Sequence, residues 1–155
     1  VKHFVNEQGT GAAWRPGLAL IYADIGQLDE ARVEFKRLAE DRFGAIPRDS
    51  LWQTCLVYLA EVCCAIGATE DAPVLYELLL PYEKLTVVVG NGSVCLGATA
   101  QYLGQLATLL ARWDDAEKHF EYALQLNTRI SATPWLAHTQ SHYSEMQAQR
   151  SASDG

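Results

Sequence analysis

No stretch of this sequence approaches the roughly 20 unbroken apolar residues that a membrane-spanning helix needs. The densest apolar run, Leu56 to Ile66, is no longer than a helix and is interrupted by Glu61. A secretory leader is not expected, because Val1 to Thr10 has no charged start followed by an apolar run. Basic residues are scarce and scattered: twelve Lys and Arg face nineteen Asp and Glu, a formal net charge of −7. Such an acidic surface repels phosphate backbones, so nucleic acid is not an expected partner. Cysteine is too sparse for a disulfide framework. Cys55, Cys63, Cys64 and Cys95 all sit inside apolar helical patterns, and two of them are adjacent. Reduced, buried thiols in a cytoplasmic protein are expected instead.

What is present is enough apolar material for one domain: 49% hydrophobic and 20% charged residues in 155 positions. Apolar residues recur at three- and four-residue spacing almost throughout, the signature of helices. Pro16 is placed to open a first helix that stops at Gly26, and a second runs from about Leu28 to Asp41 with Asp29 and Glu30 in its first turn. Asp49 or Ser50 is placed to cap a long helix ending at Gly67, and Thr69 the helix after it, which ends between Pro81 and Lys84. Thr86 to Gly92 is the least helical stretch. Ser93 is placed to cap a helix reaching about Arg112, another spans Asp114 to about Thr128, and Pro134 opens a last one reaching about Arg150. Ser151 to Gly155 reads as a disordered tail.

The order is therefore helix–turn–helix three times, then one helix more, and the pairs share a pattern. Leu18-Ala19, Tyr22, Gly26, Ala31 and Phe35 correspond to Leu59-Ala60, Cys63, Gly67, Ala72 and Tyr76, and again to Leu103-Gly104, Ala107, Ala111, Ala116 and Phe120. Small residues at 19, 60 and 104, met by alanines 31, 72 and 116, let the two helices of a pair approach closely. The aromatics at 35, 76 and 120 fill the space between pairs. One pair alone cannot bury this surface, so pairs must stack.

This register resembles the tetratricopeptide repeat over nearly the whole chain, about residues 14–150. The alanines lie 41 and then 44 residues apart, against roughly 34 in a standard repeat. The additions fall in the loops around 42–49 and 82–92. Lengthened copies of this kind are similar to the helical domains that follow the ATPase module in bacterial transcriptional regulators and nucleotidyl cyclases. Pro16-Gly17-Leu18-Ala19-Leu20-Ile21-Tyr22-Ala23 and Arg112-Trp113-Asp114-Asp115-Ala116-Glu117 carry that likeness. No ATPase or cyclase motif accompanies them, so neither activity transfers. The resemblance implies an all-α fold, a right-handed superhelix of about seven helices. Its repeats would fall at about 14–42, 50–84, 93–128 and 134–150, after a lead-in segment of residues 1–13.

Candidate chemistry yields to plainer readings. Val87-Val88-Val89-Gly90-Asn91-Gly92-Ser93 is similar to a dinucleotide-binding turn, but Cys95 replaces the final glycine and no βαβ unit surrounds it. An inter-repeat loop whose glycines take positive φ is the preferred reading. His138, His142 and Glu145 share one helical face at a spacing that a metal could use, yet exposed histidines on a last helix are commoner. The four tryptophans read as structural. No cofactor, metal or catalytic residue is expected.

In tetratricopeptide stacks the first helices line a concave face. The resemblance places Ala13, Pro16, Leu20 and Ala23 there, then Thr54, Val57, Glu61 and Cys64, then Ala98, Gln101, Gln105 and Thr108, and last His138, Ser141 and Glu145. Such a groove has carboxylates and amides but no Lys or Arg, which argues against a partner gripped by its terminal carboxylate. It fits a peptide or amphipathic helix that brings apolar anchors and a donor for Glu61. The same face also suits a neighbouring domain or a second copy of the chain. The alternative is a small-molecule sensor, with its ligand between the groove and the 86–93 loop.

Overall fold

A computed structural model describes residues 11–155 apart from Asn91, with side chains described from Trp14 onward. The expected lead-in segment lies, through residue 10, outside the described residues, as does the side chain of Ala13. Among the described residues seven α-helices and one hairpin follow in order: α1 (Gly11–Asp24), α2 (Leu28–Ala39), α3 (Trp52–Ile66), α4 (Ala72–Leu79), a short 3₁₀ turn (Leu80–Tyr82), β1 (Thr86–Val89), β2 (Val94–Ala98), α5 (Thr99–Leu109), α6 (Trp113–Arg129) and α7 (Thr133–Asp154). No helix among them is long and apolar enough to cross a membrane.

Several boundaries differ from those read in the sequence, each for a local reason. Pro16 lies inside α1 rather than opening it. It stands in the second turn, where its missing N–H forfeits only a bond to the Ala12 carbonyl. α3 starts at Trp52 because Asp49 spends its carboxylate on the Leu51 N–H, 2.9 Å away, closing a turn ahead of the helix. α4 starts at Ala72 and has no side-chain cap. The acids before it serve α2 instead: Lys36 bonds both Glu70 and, at 2.7 Å, Asp71.

The turns inside the pairs are one structure made three times. At the end of α1 the Gln27 N–H bonds the Tyr22 carbonyl and the Gly26 N–H bonds that of Ala23. Ala68 and Gly67 do the same to Cys63 and Cys64, and Arg112 and Ala111 to Ala107 and Thr108. This double bond satisfies the last carbonyls and needs one left-handed residue. Gly26 and Gly67 take it at φ 79° and 66°; in the third copy Ala111 is held there at 54°.

The helices pack as the small-residue pattern dictates. Ala19, Ala31, Ala60, Ala72 and Ala116 are fully buried. At Gly104 even one added carbon would come within 2.8 Å of the Phe120 ring. Two of the aromatics reach the following pair or helix: the Tyr76 ring meets His119 of α6, and Phe120 stacks on Tyr143 of α7, at centroid distances of 5.6 and 5.7 Å. One core runs from Ala19 to Met146. α1, α3, α5 and α7 lie against one another in succession, each of the first three backed by its own partner helix.

Residues 86–98 depart most from the sequence reading. Ser93 does not cap a helix; its hydroxyl donates to the Gly90 carbonyl at 2.6 Å and closes a hairpin. β1 and β2 pair antiparallel, with Val88 opposite Cys95 and Val89 opposite Val94. Three β-branched valines satisfy their backbone across the hairpin better than in a helix. Gly90 and Gly92 supply the positive φ of the turn, 62° and 93°. Cys95 is consequently exposed rather than buried, and α5 begins only at Thr99. Trp14, expected to be structural, is 69% exposed. At the other end α7 continues through Asp154, past the point where a disordered tail is expected.

Candidate functional site

The C-terminal halves of α3 and α5 and the length of α7 enclose a hollow of about 460 Å³. Each helix contributes at helical spacing: Glu61, Cys64 and Ala65 from α3; Gln105, Thr108 and Leu109 from α5; His138, His142, Glu145 and Gln149 from α7. Phe120 of α6 closes the back. The steps of three and four put each set on one stripe of its helix, and the succession α3, α5, α7 brings the stripes together.

Of the residues expected in a groove, Glu61, Gln105, Thr108, His138 and Glu145 line this hollow, as does Cys64. The others are elsewhere. Thr54 and Val57 are buried, because α3 is packed by α1, α2, α4, α5 and β1 and only its last turns open. Leu20 packs half-buried against the same core, and Ser141 is exposed outside the hollow. Pro16 and Ala98 are buried too. None of the lining residues comes from the 86–93 loop.

Gln101 is in the interior for a specific reason. Asn127, fully buried on α6, donates to the Gln101 carbonyl oxygen at 3.2 Å and to the Thr139 hydroxyl at 3.1 Å. Its own oxygen accepts the Ala98 N–H at 2.9 Å. Thr139 donates to Gln101 at 2.7 Å, and the Gln101 amide reaches the Leu96 carbonyl at 3.2 Å. The network ties β2, α5, α6 and α7 together where all their polar groups are satisfied.

The hollow's electrostatics are set by burial. Burial pushes the Glu61 carboxyl up to about 7, and the Asp24 charge adds to it. No hydrogen-bond donor or cation among the described residues answers this carboxyl. The Cys64 thiol is likewise pushed up by burial, to about 12, and the Glu61 charge adds to it. A thiol held that high is not a ready nucleophile. Burial lowers the His142 imidazole, against the opposing pull of Glu145, whose Oε2 lies 3.6 Å from Nδ1. Among the described residues no Lys or Arg lines the hollow. Among the described residues no three His, Cys, Asp or Glu side chains gather closely enough to hold a metal ion.

A second polar cluster had no signal in the sequence. The Tyr76 hydroxyl lies 2.7 Å from His119 Nε2, and Glu83 Oε1 lies 3.1 Å from His119 Nδ1. Burial lowers the His119 imidazole, which favours the neutral ring. With an acceptor-only carboxylate beside Nδ1, the ring proton sits there and Tyr76 donates to Nε2. The Glu83 contact is off the N–H axis, leaving Nδ1 without a well-directed hydrogen bond. None of these side chains lines the hollow; the cluster joins α4, the segment after it and α6.

In comparisons with known proteins the chain matches no family model, no curated protein and no solved structure.

Proposed function

We propose that this chain is a non-catalytic, tetratricopeptide-like scaffold whose concave hollow receives a segment of another protein. The segment is a peptide, a helix or part of a neighbouring domain of a larger regulator. The observation that carries the reading is the convergence of Glu61, Gln105, Thr108, His138 and Glu145 on one open hollow between successive first helices. Its mixture of apolar wall and a few polar groups is what recognition sites use. The neighbouring thiol is deactivated by burial, which favours binding over catalysis. The four free thiols suit a cytoplasmic setting. Partners of the nucleic-acid or membrane class are not part of this reading. A second copy of the chain is the self-association variant of the same idea.

Ala65 is exposed on the rim of the hollow, so Ala65→Arg should fill it without disturbing the core. A displayed peptide library selected on the protein and counter-selected on Ala65→Arg should yield peptides that bind only the unmodified chain. Recovery of peptides that bind both equally would refute the assignment of the hollow.

A further inference from the structure

We propose that the hollow reads a cationic side chain, a lysine ammonium or an arginine guanidinium, carried on the partner's peptide. The inference rests on the reading of the hollow as a partner site and names what that site selects.

Glu61 is a half-buried carboxyl with no counter-ion among the described residues, and Glu145 stands on the rim of the same hollow. A partly desolvated carboxylate without a partner is an unfavourable arrangement that an incoming cation relieves. Among the described residues none supplies such a cation, since neither Lys nor Arg is in the lining. Shape agrees. Leu109 and Ala65 give the apolar wall along which the methylene stem of Lys or Arg lies, while its charged head meets the carboxylates. Gln105 and Gln149 offer amide oxygens for the remaining donors of the head group. The volume of about 460 Å³ takes one long side chain with its flanking backbone.

Occupation is linked to a proton. Glu61 is faced by Asp24 from α1, Tyr102 from α5, Tyr58 and Cys64 on its own helix, and the histidines and Glu145 of α7. Raised to about 7 by burial and Asp24, it holds its proton in mildly acidic solution, and the cation must displace that proton to solvent. Protonation of His142 repels the cation and so acts in the same direction. Affinity should therefore rise about tenfold between about pH 6 and pH 8, the signature of one linked proton.

The test uses two randomised peptide libraries, identical except that one fixes lysine at the centre and the other fixes norleucine, which has the same stem and no charge. Binders are sorted for dependence on the hollow with Ala65→Arg. The expected result is hollow-dependent binders from the lysine library alone. Glu61→Gln should weaken them by about tenfold, the difference between a charged and a neutral hydrogen bond, and should flatten their pH dependence. Should Glu61→Gln not fold, Glu145→Gln on the exposed rim provides the same comparison with a smaller loss. Hollow-dependent binders from both libraries, indifferent to Glu61→Gln, would overturn the cation and leave the partner site standing. No hollow-dependent binder from either would remove both. Saturable binding of n-butylammonium alone at the hollow, with no gain from a peptide, would overturn the peptide-borne source in favour of a free amine.

Discussion

Glu61 is held up to about 7 in the fold, while its ordinary value is 4.5. As the pH rises the unfolded chain therefore gives up this proton first, and between the two values stability falls, by up to about 3 kcal/mol. Glu61→Gln should remove that slope. The variant should gain on the unmodified chain as the solution is taken from about pH 5 to pH 8, as read from urea midpoints. A difference that does not change with pH would contradict the burial argument. His119 and His142 act with the opposite sign. Burial lowers both, so the stability they contribute is present above the ordinary histidine value of 6.5 and is lost as the pH falls through it. They are common to both proteins and cancel in the difference.

Asn127 makes the converse case, a buried polar group with every bond made. Asn127→Ala would leave the Ala98 N–H without its acceptor and would deprive Gln101 and Thr139 of a donor. A loss of about 2–4 kcal/mol is expected in chemical denaturation; a loss under about 1 kcal/mol would mean that water replaces the side chain. These two residues also mark how far the sequence can be read. Glu61 and Gln105 share the helical stripe that the register assigns to a groove, and they meet there. Gln101 has the same spacing, but Asn127 and Thr139 cover it. Periodicity tells which face a residue occupies and not what arrives on that face from elsewhere in the chain. The Tyr76–His119 contact was invisible for the same reason, since neither residue has a local signal for the other.

At the scale of elements, the helical pairs were legible because their signals are local: glycine after the helix, alanine where backbones approach, an aromatic one turn beyond. The third copy departs from the first two at Ala111, an exposed residue kept left-handed at φ 54°. Ala111→Gly should relieve that strain and raise stability by about 1 kcal/mol, while Gly67→Ala should lower it by a similar amount. Thermal unfolding of the two variants checks the pairing of signs. Gly104→Val should cost about 1–3 kcal/mol or more, because its first carbon already meets the buried Phe120 ring at 2.8 Å. Unchanged stability would mean that α5 and α6 are not held at this distance. The hairpin was only half legible. Three valines and Gly-Asn-Gly mark a break in the helices, but Ser93 before an apolar run imitates a helix start. Strand pairing depends on a partner across the turn, and that partner, Val94 to Ala98, carries no distinctive pattern of its own.

At the scale of the molecule, one core joins all the helices, and two surfaces among the described residues bear on a partner. The first is the hollow of α3, α5 and α7. The second is the outer side of the first pair, where Ile21, Ile25, Leu28 and Val33 stay exposed. Either surface could meet another protein, and a peptide selected on the whole chain tells them apart. The most direct measurement is calorimetric titration of such a peptide into the unmodified chain, into Ala65→Arg in the hollow and into Ile25→Arg on the outer side. The account predicts that binding is lost in Ala65→Arg and kept in Ile25→Arg. Binding kept in Ala65→Arg and lost in Ile25→Arg would contradict it and move the partner to the end of the stack.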